Sequence, residues 1–252
     1  MANSKLQGSQ AAQDKKLKLI LSIVTGVVIV GLIGSAAALS INKKNLNKPS
    51  TVTKTSTLPK GAFEASSKYA YGIPYGTNPK APVMELWEDF QCPACHALER
   101  ANGANIRKMA EDGKIYLIYR PVNFLDQNLR NDSSTRAAIA FAAAVDAGFG
   151  PNYHDQLYLN QPTQEGAGWT DAQLVSYAKA AGITGAAFDT WKKSFESRQY
   201  KDWIASSMNK FNEAGHQSTP TVVLDGIDVV NTAAADPAKL AAIVEKATLT
   251  HK

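Results

Sequence analysis

Cysteine is the scarcest residue in this 252-residue chain: there are two, Cys92 and Cys95, spaced C-x-x-C. Thiols so close can close only a tiny ring. Because disulfide stabilisation grows with the loop closed, such a bond is a poor staple, so a disulfide-knotted scaffold is excluded and reactivity becomes the reason for the pair. Histidine is nearly as rare, with His96, His154, His216 and His251 scattered along the chain. Two cysteines and one adjacent histidine are an incomplete zinc set, so no metal site is expected. Acidic residues are missing between Asp14 and Glu64, a span holding eight lysines, so the formal charge of +5 is largely an N-terminal feature. No basic face interleaved with aromatics and no nucleic-acid motif accompanies it, so nucleic acid is not an expected partner. Internal repeats and long low-complexity tracts are also missing.

Charge of either sign is absent from Leu19 to Asn42. Those 24 residues would span about 36 Å as a helix, enough for a bilayer core. The reading is a cytoplasmic N-terminus over 1–18, a transmembrane anchor over 19–41 and a flexible Lys/Asn/Ser/Thr/Pro-rich stalk over 42–61. The alternative is a cleaved signal peptide with Ala36-Ala37-Ala38 as its site. Lysines flank the span on both sides and do not orient it. A long downstream domain can translocate regardless of charge, and an oxidising compartment suits reactive disulfide chemistry. The expected localisation is therefore the cell membrane, single-pass, with the globular part 62–252 on the extracytoplasmic side.

Within that part, Pro82–Phe90 reads as a buried strand, followed by a helix from Cys92 to Glu111 that Gly113 ends. Ile115–Tyr119 is a second strand, giving a β-α-β unit with parallel strands. A helical stretch, about 123–214, then intervenes. It holds a helix capped by Ser134 or Thr135 and closed by Gly148 and Gly150, and a capping box at Thr170–Gln173. It also holds apolar residues at helical spacing (Phe188, Trp191, Phe195, Ile204, Met208, Phe211), read as core. Thr221–Leu224 and Ile227–Val230 form a hairpin through Asp225-Gly226, and Asp236-Pro237 starts a last helix.

The junction between strand and helix is where the chemistry is expected. The first N–H groups of a helix lack internal partners and carry partial positive charge, so a thiolate at Cys92 is stabilised. Pro93 suits the first helical position, and the amides of Ala94 and Cys95 stay free to face the sulfur. A stabilised thiolate lowers the Cys92 pKa and makes the disulfide form an oxidant.

Glu88-Asp89-Phe90-Gln91-Cys92-Pro93-Ala94-Cys95 after a strand, then a helical insert, then Thr219-Pro220 before the penultimate strand, resembles the DsbA-like thiol:disulfide oxidoreductases, and most of all the membrane-anchored ones of actinobacteria. The resemblance covers roughly Ala81 to Ala247. It implies an α/β thioredoxin fold (β-α-β … β-β-α, mixed sheet) with an α-helical insertion, preceded by the transmembrane helix. It further implies Cys92 as the accessible nucleophile, Cys95 as its buried partner, Pro93 and Ala94 as the active-site dipeptide, and Pro220 as a cis-proline. Thr219 would then offer its backbone to a substrate strand. On residues alone Pro220 could equally be a trans proline opening a strand.

The pattern also departs from the family. Pro93-Ala94 lacks the histidine of the strongly oxidising enterobacterial relative, and Leu86 stands where relatives carry a buried acid. Glu88, on the same strand face, is the candidate substitute as proton acceptor for Cys95, or else an exposed acid. His96 either tunes the thiolate or lies on the helix surface.

Together these residues predict an enzyme that needs no cofactor and introduces disulfides into cysteine-containing secreted proteins. By resemblance, its membrane reoxidant is of the DsbB or VKOR type. The same site could serve a reductase or isomerase. Cys92-Pro93-Ala94-Cys95-His96 also fits C-x-x-C-H haem attachment, with Met208 opposite His96. A non-catalytic binding or chaperone module is the remaining alternative.

Overall fold

The computed structural model describes residues 57–251. The anchor at 19–41, the N-terminus 1–18 and most of the stalk lie outside the described residues. Among those described, no helix is long and apolar enough to cross a membrane.

A strand not anticipated from the sequence, Ile73–Tyr75 (β1), opens the sheet. It is three residues long and holds Pro74, which an edge strand tolerates because one side of its backbone needs no ladder partner. Val83–Glu88 (β2) follows, then the helix Pro93–Leu98 (α1). The expected single helix to Glu111 is interrupted by a π-helical turn at Glu99–Gly103 before it resumes as Ala104–Glu111 (α2). Tyr116–Pro121 is β3.

Six helices come between β3 and the next strand: Asp126–Leu129 (α3), Ser133–Asp146 (α4), Gly150–Leu159 (α5), Asp171–Ala180 (α6), Gly185–Glu196 (α7) and Lys201–Glu213 (α8). Thr221–Leu224 (β4), Ile227–Asp228 (β5) and Pro237–Thr250 (α9) complete the chain. The sheet order is β1-β3-β2-β4-β5, with β2 and β3 parallel and the other neighbours antiparallel. This is the expected mixed-sheet thioredoxin fold with one strand added at its edge.

Alternation along β2 sorts the core. Met84 and Leu86 join the main cluster, which also takes in Cys92, Cys95, Phe141 and most of the insert's aromatics. Trp87 faces the other way, into a smaller cluster with Val122 and Phe211, against which Met208 packs.

Local chemistry explains several boundaries. Thr170 and Gln173 form the expected capping box. Asp225 and Gly226 have φ of 48° and 86°, the left-handed pair a two-residue hairpin needs. Three expectations are corrected. Neither Ser134 nor Thr135 caps α4. Asp126 does, accepting from the backbone N–H groups of Ser134 (2.8 Å) and Thr135 (2.9 Å). Gly150 begins α5 rather than closing α4, and only Gly148, at φ 84°, ends that helix. β5 stops at Asp228: Val229 N still donates to Val222 O (2.8 Å), but Val230 N turns to the Asp228 carboxylate (2.9 Å).

Candidate active site

Cys92 is the N-cap of α1, extended at φ −75° and ψ 121°, with Pro93 opening the helix behind it. Both cysteines are free thiols and both are buried, Cys92 at 7 % exposure rather than openly accessible and Cys95 at 0 %, and their surroundings separate them further. The Cys92 pKa is held down to about 6, first by the hydrogen bond from the Cys95 thiol. Thr219 and the N–H groups of Cys95 and Ala94 help, while burial opposes them. Cys95 is fully buried, and burial, followed by its bond to Cys92 and the charge of Glu88, drives its pKa well up. One sulfur is thus prepared to be a thiolate and the other a thiol.

The remaining expected residues fall close by. Pro93 and Ala94 are exposed at the start of α1. The Thr219–Pro220 peptide is cis, and the Cys92 thiol donates to the Thr219 carbonyl at 3.2 Å. His96 is half-buried on the first turn, its backbone N–H donating to Cys92 O at 3.1 Å. Glu88 is not an exposed acid: it is 3 % exposed, with Oε2 3.0 Å from His154 Nε2 and Oε1 without a hydrogen-bond partner. Burial, with the Cys92 charge adding to it, pushes its pKa up to about 8.

Sequence reasoning missed the supports. Asp89, fully buried, accepts at Oδ1 from Gln91 N (2.8 Å) and the Ser134 hydroxyl (2.6 Å), and at Oδ2 from Leu125 N (2.8 Å). Gln91 donates to Asp126 (3.1 Å), Asn131 (3.0 Å) and Ser134 (2.8 Å). Gln161 donates to the carbonyls of Phe90 (2.7 Å) and Cys92 (3.1 Å). The loop carrying Cys92 is therefore pinned to the insert, which no short-range pattern in the sequence announces.

Glu99 and His154 were also missed. Glu99 comes four residues after Cys95, the spacing that shares a helix face, so a signal for it existed. His154 lies on α5, remote in sequence, and had none.

Glu88, Glu99 and His154 offer ligand atoms within 4.8 Å of one another, the one group among the described residues that could hold a metal ion. Glu88 and His154 already bond directly, so a cation would have to break that contact. The haem reading fits poorly. Thioether attachment needs both sulfurs reachable, whereas Cys95 has no exposed surface, and Met208 packs against the Trp87 cluster instead of the cysteines.

Comparison with known proteins agrees with this fold. A family model described as thioredoxin matches residues 70–246. The MdbA thiol-disulfide oxidoreductase of Actinomyces oris superposes with a TM-score of 0.63 at 22% identity, over 76% of this chain and 90% of that one. Oxidised DsbA of Mycobacterium tuberculosis gives 0.57 at 22% identity, over 70% and 92%. Among curated sequences, the serine/threonine-protein kinase PknE of M. tuberculosis is 26% identical over 183 residues, 69% of this chain. The chain spans about a third of the length of that relative, 31%.

Proposed function

The chain belongs to the thioredoxin family, and from that premise we propose that it is a membrane-anchored thiol-disulfide oxidoreductase of DsbA type that introduces disulfides into exported proteins. The observation that carries this reading is the placement of two neighbouring sulfurs, Cys92 at the N-cap of α1 beside the cis Thr219–Pro220 peptide and Cys95 wholly buried behind it, which holds the Cys92 pKa down to about 6 and raises that of Cys95. A low-pKa sulfur is a good leaving group, so the reduced state is favoured and the disulfide is reactive.

A substrate thiolate attacks Cys92 Sγ in the Cys92–Cys95 disulfide. The S–S bond breaks, and Cys95 leaves with the electron pair and takes up a proton. A second substrate thiolate then attacks the substrate sulfur of the mixed disulfide and expels Cys92 as thiolate, so two electrons pass from substrate to enzyme. Thr219, beside the cis-proline, offers backbone to an extended substrate strand. Glu88 is the proton partner of Cys95, since it is buried, and its charge acts on Cys95.

The uncharged run from Leu19 to Asn42 supports the anchor and an extracytoplasmic catalytic domain. Cysteine-containing secreted proteins are the substrates, and a quinone-linked membrane protein of DsbB or VKOR type is the reoxidant, on family resemblance.

The test is the equilibrium redox potential of the full chain in glutathione buffers, with Cys92→Ser as the inert control. A value well above roughly −270 mV, the thioredoxin range, is expected. A value at or below it would assign the protein to the reductases instead.

A further inference from the structure

Two ionisable groups behind the cysteines have no part in the disulfide exchange itself. Glu99 is the first residue of the π turn in the helix that begins at Cys92, and His154 comes from α5 of the insert. A π turn inside an α-helix is uncommon and tends to occur at functional sites. This one directs Glu99 inward, leaving its side chain 10 % exposed. Room for the carboxylate depends on Gly103, where any Cβ would stand 2.1 Å from Glu99 Oε2.

His154 is caged by the rings of Phe90, Tyr119, Phe141 and Tyr158, whose centroids lie 4.9–5.9 Å from its own. The ring has little freedom to turn. Nε2 stays 3.0 Å from Glu88 Oε2, and Nδ1 faces Glu99 Oε2 at 4.0 Å. Burial lowers the His154 pKa, so the imidazole is neutral at ordinary pH. In the tautomer that carries its proton on Nε2, the ring donates to an ionised Glu88.

The groups facing this cluster supply no free cation. Arg107 on α2 is paired with Asp155, the residue after His154, and also donates to Pro151 O. Tyr119 and Tyr158 have strongly raised pKa values and stay neutral, and the remaining neighbours, Asp89, Cys92 and Cys95, are acids. Two buried carboxyls with no cation between them do not both ionise, and their proton belongs to the pair. Burial puts both Glu88 and Glu99 near pKa 8, and at Glu99 the charge of Glu88 adds to it.

We propose that Glu99 and His154 are positioning residues that keep one proton on the Glu88–Glu99 pair and govern its transfer, through Glu88, to the Cys95 sulfur when the disulfide opens. This rests on the oxidoreductase reading. As Cys95 departs with the electron pair of the broken S–S bond, Glu88 gives it the proton. The carboxylate left on Glu88 keeps the His154 N–H bond. On reoxidation the proton returns to Glu88 as Cys95 becomes a thiolate and attacks. Three elements therefore meet in one proton store: the central strand, the π turn and the insert.

The test uses the full, oxidised chain, reduced by dithiothreitol between pH 5 and 9 and monitored by thiol trapping. Infrared titration of the protonated-carboxyl C=O band is run alongside. Glu99→Gln removes the like charge, and the midpoint of both profiles is expected to fall by about one pH unit. His154→Leu removes the donor to the carboxylate, and the midpoint is expected to rise by about the same amount. His154→Gln, which keeps an N–H, should restore the wild-type midpoint. Opposite shifts are beyond a merely structural role, and Glu99→Gln decides the matter alone if the leucine variant does not fold. Profiles that coincide with wild type, or that move together, overturn the proposal. So does a wild type that exchanges disulfides but shows no carboxyl band near neutrality. A wild type inert to dithiols with the band intact would instead overturn the oxidoreductase reading, and the proton transfer with it.

Discussion

Glu88 and Asp89 are consecutive acids at the end of β2, both removed from water, and the protein surrounds them in opposite ways. Asp89 has three donors at 2.6–2.8 Å, two of them backbone N–H groups, and every one comes from the cysteine loop or the insert. Glu88 has one partner, a histidine, and an oxygen with none. A carboxylate enclosed by donors is a structural joint, since moving it strands all of them at once. An under-supplied carboxylate can gain or lose a proton without disturbing the chain around it. Because β-strand neighbours point to opposite sides, one short stretch can hold both kinds.

Replacing Asp89 puts the contrast at greatest risk. Asp89→Ala leaves three buried donors unpaired and should cost about 3–4 kcal/mol in chemical denaturation. A loss below about 1 kcal/mol would mean that Asp89 is no joint.

The proton-binding side should show itself in pH. Glu88 has a folded pKa near 8, above its ordinary 4.5. Its contribution to stability is therefore fully present below pH 4.5 and is lost as pH rises through 8. Melting of the oxidised protein from pH 5 to 9 should show this loss, and Glu88→Gln should flatten it by roughly 2 kcal/mol. Parallel curves for the two proteins would place the titration elsewhere.

Cys92 carries the opposite sign. Its folded pKa near 6 lies below the ordinary 9.0, so its stabilisation is present above 9 and lost as pH falls through 6. Reduced protein should gain on oxidised protein by roughly 1–2 kcal/mol between pH 6 and 8, and the gap should close by pH 5. A gap that does not change with pH would show that Cys92 is not a stabilised thiolate in the folded protein.

Much of this arrangement could be read from residues. The strand patterns at Val83–Glu88 and Thr221–Leu224, the Asp225-Gly226 turn and the Thr170 capping box are short-range signals, and each sits where local physics puts it. The cysteine pair and Pro93 announce their own chemistry. What could not be read is whatever depends on distant chain meeting. Asp126 substitutes for the expected cap of α4, β1 is too short and too proline-bound to register, and His154 approaches Glu88 from 66 residues away. Glu88 itself was ambiguous because its meaning depends on burial, and burial there is supplied by the insert.

The pairing of β2 with β4 also bears on how the molecule comes into being. Val83 N is joined to the Asp225 carboxylate across 142 positions of chain, and Cys92 to Thr219 across 127. Local helices of the insert can form early, whereas contacts between such distant partners wait on costly closure of a long loop. During vectorial synthesis Cys92 and Cys95 emerge well before Thr219 and Pro220. A nascent chain therefore carries two thiols for some time without the segment that completes their setting. An incompletely made chain holds its cysteines without Thr219, one of the groups that hold the Cys92 pKa down.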